Sequence, residues 1–231
     1  MSLQRFFQGF VQAIAHFASQ GVLTTEILQH YSKAKRSLHG ILESALVQAG
    51  WGVGWLPVVE PRVPYLNEKS ALDSYRYNPN LARTREGEQK RPRKRHHFRP
   101  DVGYYRNDAL DVFAECCTTD EASEYIPSRQ TPQYDRWKRG WITKRDAFLH
   151  FVQHSKMKVS TLVICVTLPR QMKKKPPWLQ FKSVGNDFFN QFKPGWDTLA
   201  QDLQQYASTD LIIVEENGVH VNNVHYPVEI P

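Results

Sequence analysis

The sequence predicts a mixed α/β domain built on one central sheet, and three observations carry that prediction. Two segments near the N-terminus place apolar residues at helical spacing. "STLVICVTLP" (160–169) is a near-continuous apolar, β-branched run, the pattern of a strand buried on both faces. Short strand-like runs joined by turn signals surround it. The element order reads α, α, β, long loop, β, β, α, β, α, β, which suits one sheet flanked by helices.

Taken in order, residues 3–19 set Leu3, Phe6, Phe7, Phe10, Val11, Ile14 and Phe17 on one helical stripe. "SQGVLTT" interrupts it. Thr25 can cap a second helix over about 26–49, whose stripe is Ile27, Tyr31, Ala34, Leu38, Ile41, Leu42 and Ala45, and Gly50 suits its terminus. "WGVGWLPVVEP" predicts a strand over about 51–59, stopped by prolines. Residues 61–98 lack a sustained period and carry several prolines, so they read as a long insertion. Strands follow at about 98–106 and 111–118, with "NDAL" as the turn between them. A polar loop runs to about 142. "TKRDAFLHFVQHSK" predicts a helix, with Thr143 and Asp146 arranged like a capping box. After the apolar strand and a basic loop, residues 186–206 are predicted helical with an interruption near Pro194. "DLIIVEENGVHVNN" predicts a closing hairpin around Asn217–Gly218. Residues 1–24 are thus expected as an N-terminal helical extension, and 25–231 as the α/β domain with the insertion.

Composition narrows the function. Of 231 residues, 41% are hydrophobic and 12% aromatic, enough for a packed core. The formal net charge of +7 favours an acidic partner, nucleic acid being the commonest; the alternative is a basic surface that binds nothing. The basic residues are clustered. Arg83 to Arg99 holds eight Lys/Arg, including Arg93, Lys94 and Arg95, against two Glu. "YDRWKRGWITKR" interleaves Tyr134, Trp137 and Trp141 with Arg136, Lys138, Arg139, Lys144 and Arg145, and "RQMKKKPPW" adds Lys173, Lys174 and Lys175. Basic side chains neutralise phosphates and aromatics stack on unpaired bases. Three cysteines, two of them adjacent at Cys116 and Cys117, form neither a disulfide framework nor a zinc finger, and His96-His97 adds no ligand spacing. Reduced thiols in a cytoplasmic protein are expected, nucleoid-associated if the source is prokaryotic, with no membrane span.

The chemistry concentrates in "RPDVGYYRNDALDVFAECC" (99–117). A tight hairpin brings Asp101, near the start of one strand, beside Glu115, near the end of the next. Two carboxylates there either share a divalent cation or pair with arginines of an exposed hairpin. Pro100-Asp101, then Glu115-x-Cys117, resembles the PD-(D/E)xK nuclease motif. The surrounding elements follow that superfamily's order: a helix with a glutamate, a strand, a hairpin carrying both acidic positions, a helix and a further strand. The similarity covers about residues 35–170.

The resemblance implies a restriction-endonuclease-like central mixed sheet flanked by helices, and a DNA endonuclease using Mg²⁺ or Mn²⁺. It implies Asp101 and Glu115 as metal ligands, with the backbone carbonyl of Cys116 facing the metal, and Glu43 orienting a metal-bound water. Glu43 lies away from the centre of its helix's apolar stripe. Cys117 departs from the pattern, since the superfamily carries a lysine there. A lysine from elsewhere, with Lys144 the first candidate, can take its place, or the site can work without a lysine. Alternatively the domain binds DNA without cutting, alone or as a subunit of a recombination or transposition complex. A third reading is an RNA-binding α/β protein. A homodimer or a partner subunit fits the first two readings.

Overall fold

The computed structural model describes residues 3–29, 35–66, 97–117, 150–167, 201 and 203–231. The protein is α/β. Seven strands form one mixed sheet: β1 (Leu56–Val59), β4 (Val102–Arg106), β5 (Ala109–Cys117), β6 (Thr161–Thr167), β7 (Ser208–Glu215), β8 (Gly218–Val221) and β9 (Val224–Pro227). Their order across the sheet is β1-β4-β5-β6-β7-β8-β9. β1, β4 and β5 pair antiparallel, β5, β6 and β7 parallel, and β7, β8 and β9 antiparallel again. β6 is central and buried at every position, as its uninterrupted apolar run requires.

Helices α1 (Leu3–Ser19) and α3 (Lys35–Gly52) pack with this sheet; the short α2 (Thr25–Gln29) lies between them in sequence. The predicted stripe of α1 is real: Phe6, Phe10 and Ile14 are fully buried. Phe6 stacks on Trp55 at 5.1 Å between ring centroids and meets Tyr104 edge-on at 5.4 Å. The first helix therefore contributes to the same core as the sheet. On β5, Val112, Ala114 and Cys116 join that core, whereas Phe113 turns to the opposite face and meets Phe151 of the helical residues 150–154. Of the predicted helix 186–206, residues 201 and 203–206 are described: 201, 203 and 204 are helical, and 205 and 206 form a turn.

Several boundaries differ from the sequence reading, each for a physical reason. The segment read as one helix over 26–49 contains two described helices, α2 and α3, and residues 30–34 lie outside the described residues. Thr24, not Thr25, caps α2, since its Oγ1 accepts from the Ile27 amide at 3.2 Å. Thr25 instead donates its hydroxyl to the Ile230 carbonyl at 2.9 Å and so ties down the C-terminal segment. α3 runs past Gly50 to Gly52, and the following strand begins at Leu56 rather than at 51. Gly54, with φ 77°, makes the left-handed stop.

Gly50 has another purpose. A Cβ there would lie 2.6 Å from Tyr104 Cε1, so glycine lets the tyrosine ring press against the helix backbone. Gly50→Ala is expected to lower the urea midpoint. Overpacking against a ring locked among Phe6 and Trp55 costs about 1–3 kcal/mol, which outweighs the ~1 kcal/mol that alanine gains over glycine in a helix.

The hairpin of β4 and β5 turns at Asn107 and Asp108, both with positive φ (51° and 63°), the geometry of a two-residue type I′ turn. Arg106 Nη2 reaches Asp111 at 2.9 Å and Ser160 Oγ at 2.8 Å, fixing the hairpin to the start of β6. The closing hairpin forms as expected between β7 and β8, but the chain turns once more into β9, a strand the sequence reading lacked. Asn222, with φ 53°, makes that second turn, and its Oδ1 accepts from the Leu211 amide at 2.9 Å.

The ends of the long insertion also meet. β2 (Val63–Pro64) pairs antiparallel with β3 (His97–Phe98), and residues 67–96 between them lie outside the described residues. Among the described residues no helix is long and apolar enough to cross a membrane.

Candidate active site

The register of β4 on β5 matches Val102 with Ala114, which sets Asp101 opposite Glu115 at the end of the hairpin. The two acidic residues are bonded to each other's strands. The Asp101 amide donates to Glu115 Oε2 at 3.3 Å, and Asp101 Oδ2 accepts from the Cys116 amide at 2.6 Å. The Asp101 carbonyl in turn accepts from the Glu60 amide at 2.8 Å, so the bend after β1 hooks onto the same residue. Glu60 sits at φ 46°, uncommon for a side chain of its size.

Helix α3 supplies the remaining groups. His39 and Glu43 share one face at i, i+4. His39 stands between two carboxylates, Nδ1 3.8 Å from Glu43 Oε2 and Nε2 3.4 Å from Asp101 Oδ2. Glu43 is half-buried on the flank of the stripe and close enough to Asp101 to feel its charge. Burial pushes its carboxyl above its ordinary value. His39 opposes that shift, while the negative charges of Asp101 and Glu60 add to it. Beneath the site, burial and then Asp101 push the Cys165 thiol well up, and Cys116 and Cys165 are both buried and not joined in a disulfide.

The raised Glu43 carries a stability consequence whose sign is fixed. The folded state resists ionising Glu43 more than the unfolded chain does. The penalty is absent below the ordinary carboxylate range and complete above the folded pKa. Glu43→Gln is therefore expected to raise the melting temperature modestly at neutral pH in chelator. That gain should vanish as the pH falls below the carboxylate range, as read by melts across a pH series.

The structure thus brings together Asp101, Glu115 and Glu43 of the expected set. Cys116 contributes its amide to Asp101. Arg99 is exposed two residues before Asp101. Lys144 and the basic residues Arg93, Lys94, Arg95, Arg136, Lys138, Arg139, Arg145, Lys173, Lys174 and Lys175 lie outside the described residues, as does the side chain of Cys117. The sequence reading missed His39 and Glu60. His39 had a legible signal, four residues before Glu43 on one helix face. Glu60 had none, because its place depends on where the bend after β1 meets Asp101.

Fold and site together define an α/β domain with a carboxylate cluster at one end of a mixed sheet. Compared with known proteins, the chain matches no protein-family model, no curated protein and no solved structure.

Proposed function

We propose that this protein is a metal-dependent DNA endonuclease of the PD-(D/E)xK type that hydrolyses phosphodiester bonds. The observation that carries the reading is the pairing of Asp101 with Glu115 across the β4–β5 hairpin. The order α3 with Glu43, β1, β4–β5, helical residues 150–154 and β6 supports it, because it is the order of the superfamily core.

The donors suit Mg²⁺ or Mn²⁺: they are hard carboxylate oxygens, and burial, with the charges of Asp101 and Glu60 adding to it, raises Glu43. Asp101 and Glu115 would hold the ion. When bound, it supplies Lewis acidity and a water of lowered pKa. The Cys116 amide and His39 fix the Asp101 carboxylate in place. Glu43 would orient the attacking water. Arg99 and the three basic stretches bind backbone phosphates. On this reading the protein works in the cytoplasm on DNA, alone, as a homodimer or beside a partner subunit.

The test is supercoiled plasmid incubated with Mn²⁺, Mg²⁺ or EDTA. Nicking or linearisation with either metal and none with EDTA is expected. Cys117, in the lysine position, favours a second reading, a nuclease-type module that binds DNA without cutting. Retained DNA binding with no cleavage under any metal would select it. Neither binding nor cleavage would remove both. Lys144→Ala is expected to slow cleavage at least tenfold; unchanged cleavage would eliminate Lys144 as the replacement lysine.

A further inference from the structure

A second group of potential ligands lies on the C-terminal strands. Glu215 ends β7, His220 lies in β8 and His225 in β9. The registers Glu215↔Gly218, Ile213↔His220 and His220↔His225 put all three side chains on one face of the sheet. That face is the opposite one from Val214, Val219 and Val221, which belong to the core shared with α1 and α3. The three potential ligand atoms all lie within 4.8 Å of one another. Glu215 is 2% exposed, and its Oε1 is 2.6 Å from His220 Nε2. The rings of His220 and His225 lie 4.5 Å apart, tilted by 31°.

Gly218 explains how His225 reaches the group. It faces Glu215 across the hairpin, and a Cβ there would lie 2.6 Å from His225 Nε2 and collide with the Tyr226 carbonyl oxygen. Its φ of 154° is also one that side chains rarely adopt. The missing side chain is the space His225 occupies.

We propose that Glu215, His220 and His225 bind one borderline divalent cation of the Zn²⁺ class. Two imidazoles and a carboxylate are a favoured donor set for such an ion, and one that a hard cation such as Mg²⁺ does not favour. Bonds of about 2.0–2.2 Å put tetrahedral donors roughly 3.3 Å apart. The His220–Glu215 pair opens slightly and His225, exposed at the edge strand, swings inward to meet that spacing. The fourth position faces solvent beside His225, so the site carries a water or takes a ligand there. It is separate from the carboxylates at Asp101. Glu115 aligns through Ile164 with Leu211, so Glu215 lies two strands across and four residues further along. That separation is on the order of 15 Å, so the two sites cannot share an ion.

The test uses the full-length, tag-free protein, stripped with chelator and titrated with Zn²⁺ by calorimetry, and with Co²⁺ followed by its visible absorption. One equivalent of Zn²⁺ is expected, unaffected by excess Mg²⁺, with Co²⁺ giving the intense bands of a low-coordinate nitrogen–oxygen site. His225→Ala, at an exposed position, and His220→Gln should each weaken Zn²⁺ by more than the roughly 10–100-fold that loss of an outer partner of a ligand produces. Asp101→Asn should leave it unchanged. Zn²⁺ stoichiometry and affinity unaltered in His225→Ala, or no Zn²⁺ bound by the folded wild type, would overturn the proposal. Neither readout involves DNA, so the result is independent of the endonuclease reading.

Discussion

Asp101→Asn is expected to abolish metal-dependent plasmid cleavage while leaving the fold intact. The asparagine oxygen can still accept from the Cys116 amide, which Asp101 Oδ2 now holds at 2.6 Å. What disappears is the negative charge that would hold the ion against Glu115. Metal-assisted charge stabilisation at a phosphoryl oxygen is worth several kcal/mol. At about 1.4 kcal/mol per tenfold, the loss is at least on the order of a thousandfold in rate. Initial rates of nicking, with circular dichroism as the control for folding, measure it. Glu115→Gln should fall as far. Residual cleavage within about tenfold of wild type in both variants would eliminate this pair as the metal site.

Tyr104→Ala is expected to cost about 3–5 kcal/mol of stability, the range for truncating a large buried aromatic residue. Tyr104 is fully buried, touches the rings of Phe6 and Trp55, and donates its hydroxyl to the Leu46 carbonyl at 3.1 Å. It therefore joins α1, α3, the turn before β1 and β4 at one point. Tyr104→Phe keeps the ring and loses only that hydrogen bond, and should cost about 0.5–1.5 kcal/mol. Denaturant unfolding separates the two. A double-mutant cycle with Gly50→Ala adds a further check, because the added methyl meets Tyr104 and should be tolerated once the ring is gone.

The two predictions also mark where the sequence was legible. Asp101 and Glu115 sit fourteen residues apart along the chain, within one hairpin. Local rules of strand, turn and alternation place them together without any knowledge of the rest of the fold. The same holds for α1, whose period is written in Phe6, Phe10 and Ile14, and for β6, whose continuous apolar run meets cover on both faces. Gly50 was read as a helix stop because glycine is common there. Its actual reason, the ring of Tyr104, stands more than fifty residues away and leaves no local mark.

The sequence by itself determined the class of fold, helix α1, strand β6, the β4–β5 hairpin and the two carboxylates at its end. Each depends on periodicity or turn chemistry over a few neighbouring residues. Only the tertiary structure decided that Thr25 holds the C-terminal segment, that His39 and Glu60 join the carboxylates, and that Glu215, His220 and His225 converge. These contacts join residues whose proximity is set by strand register and helix packing. The free energy behind them is that of the whole core, which no local window of sequence contains.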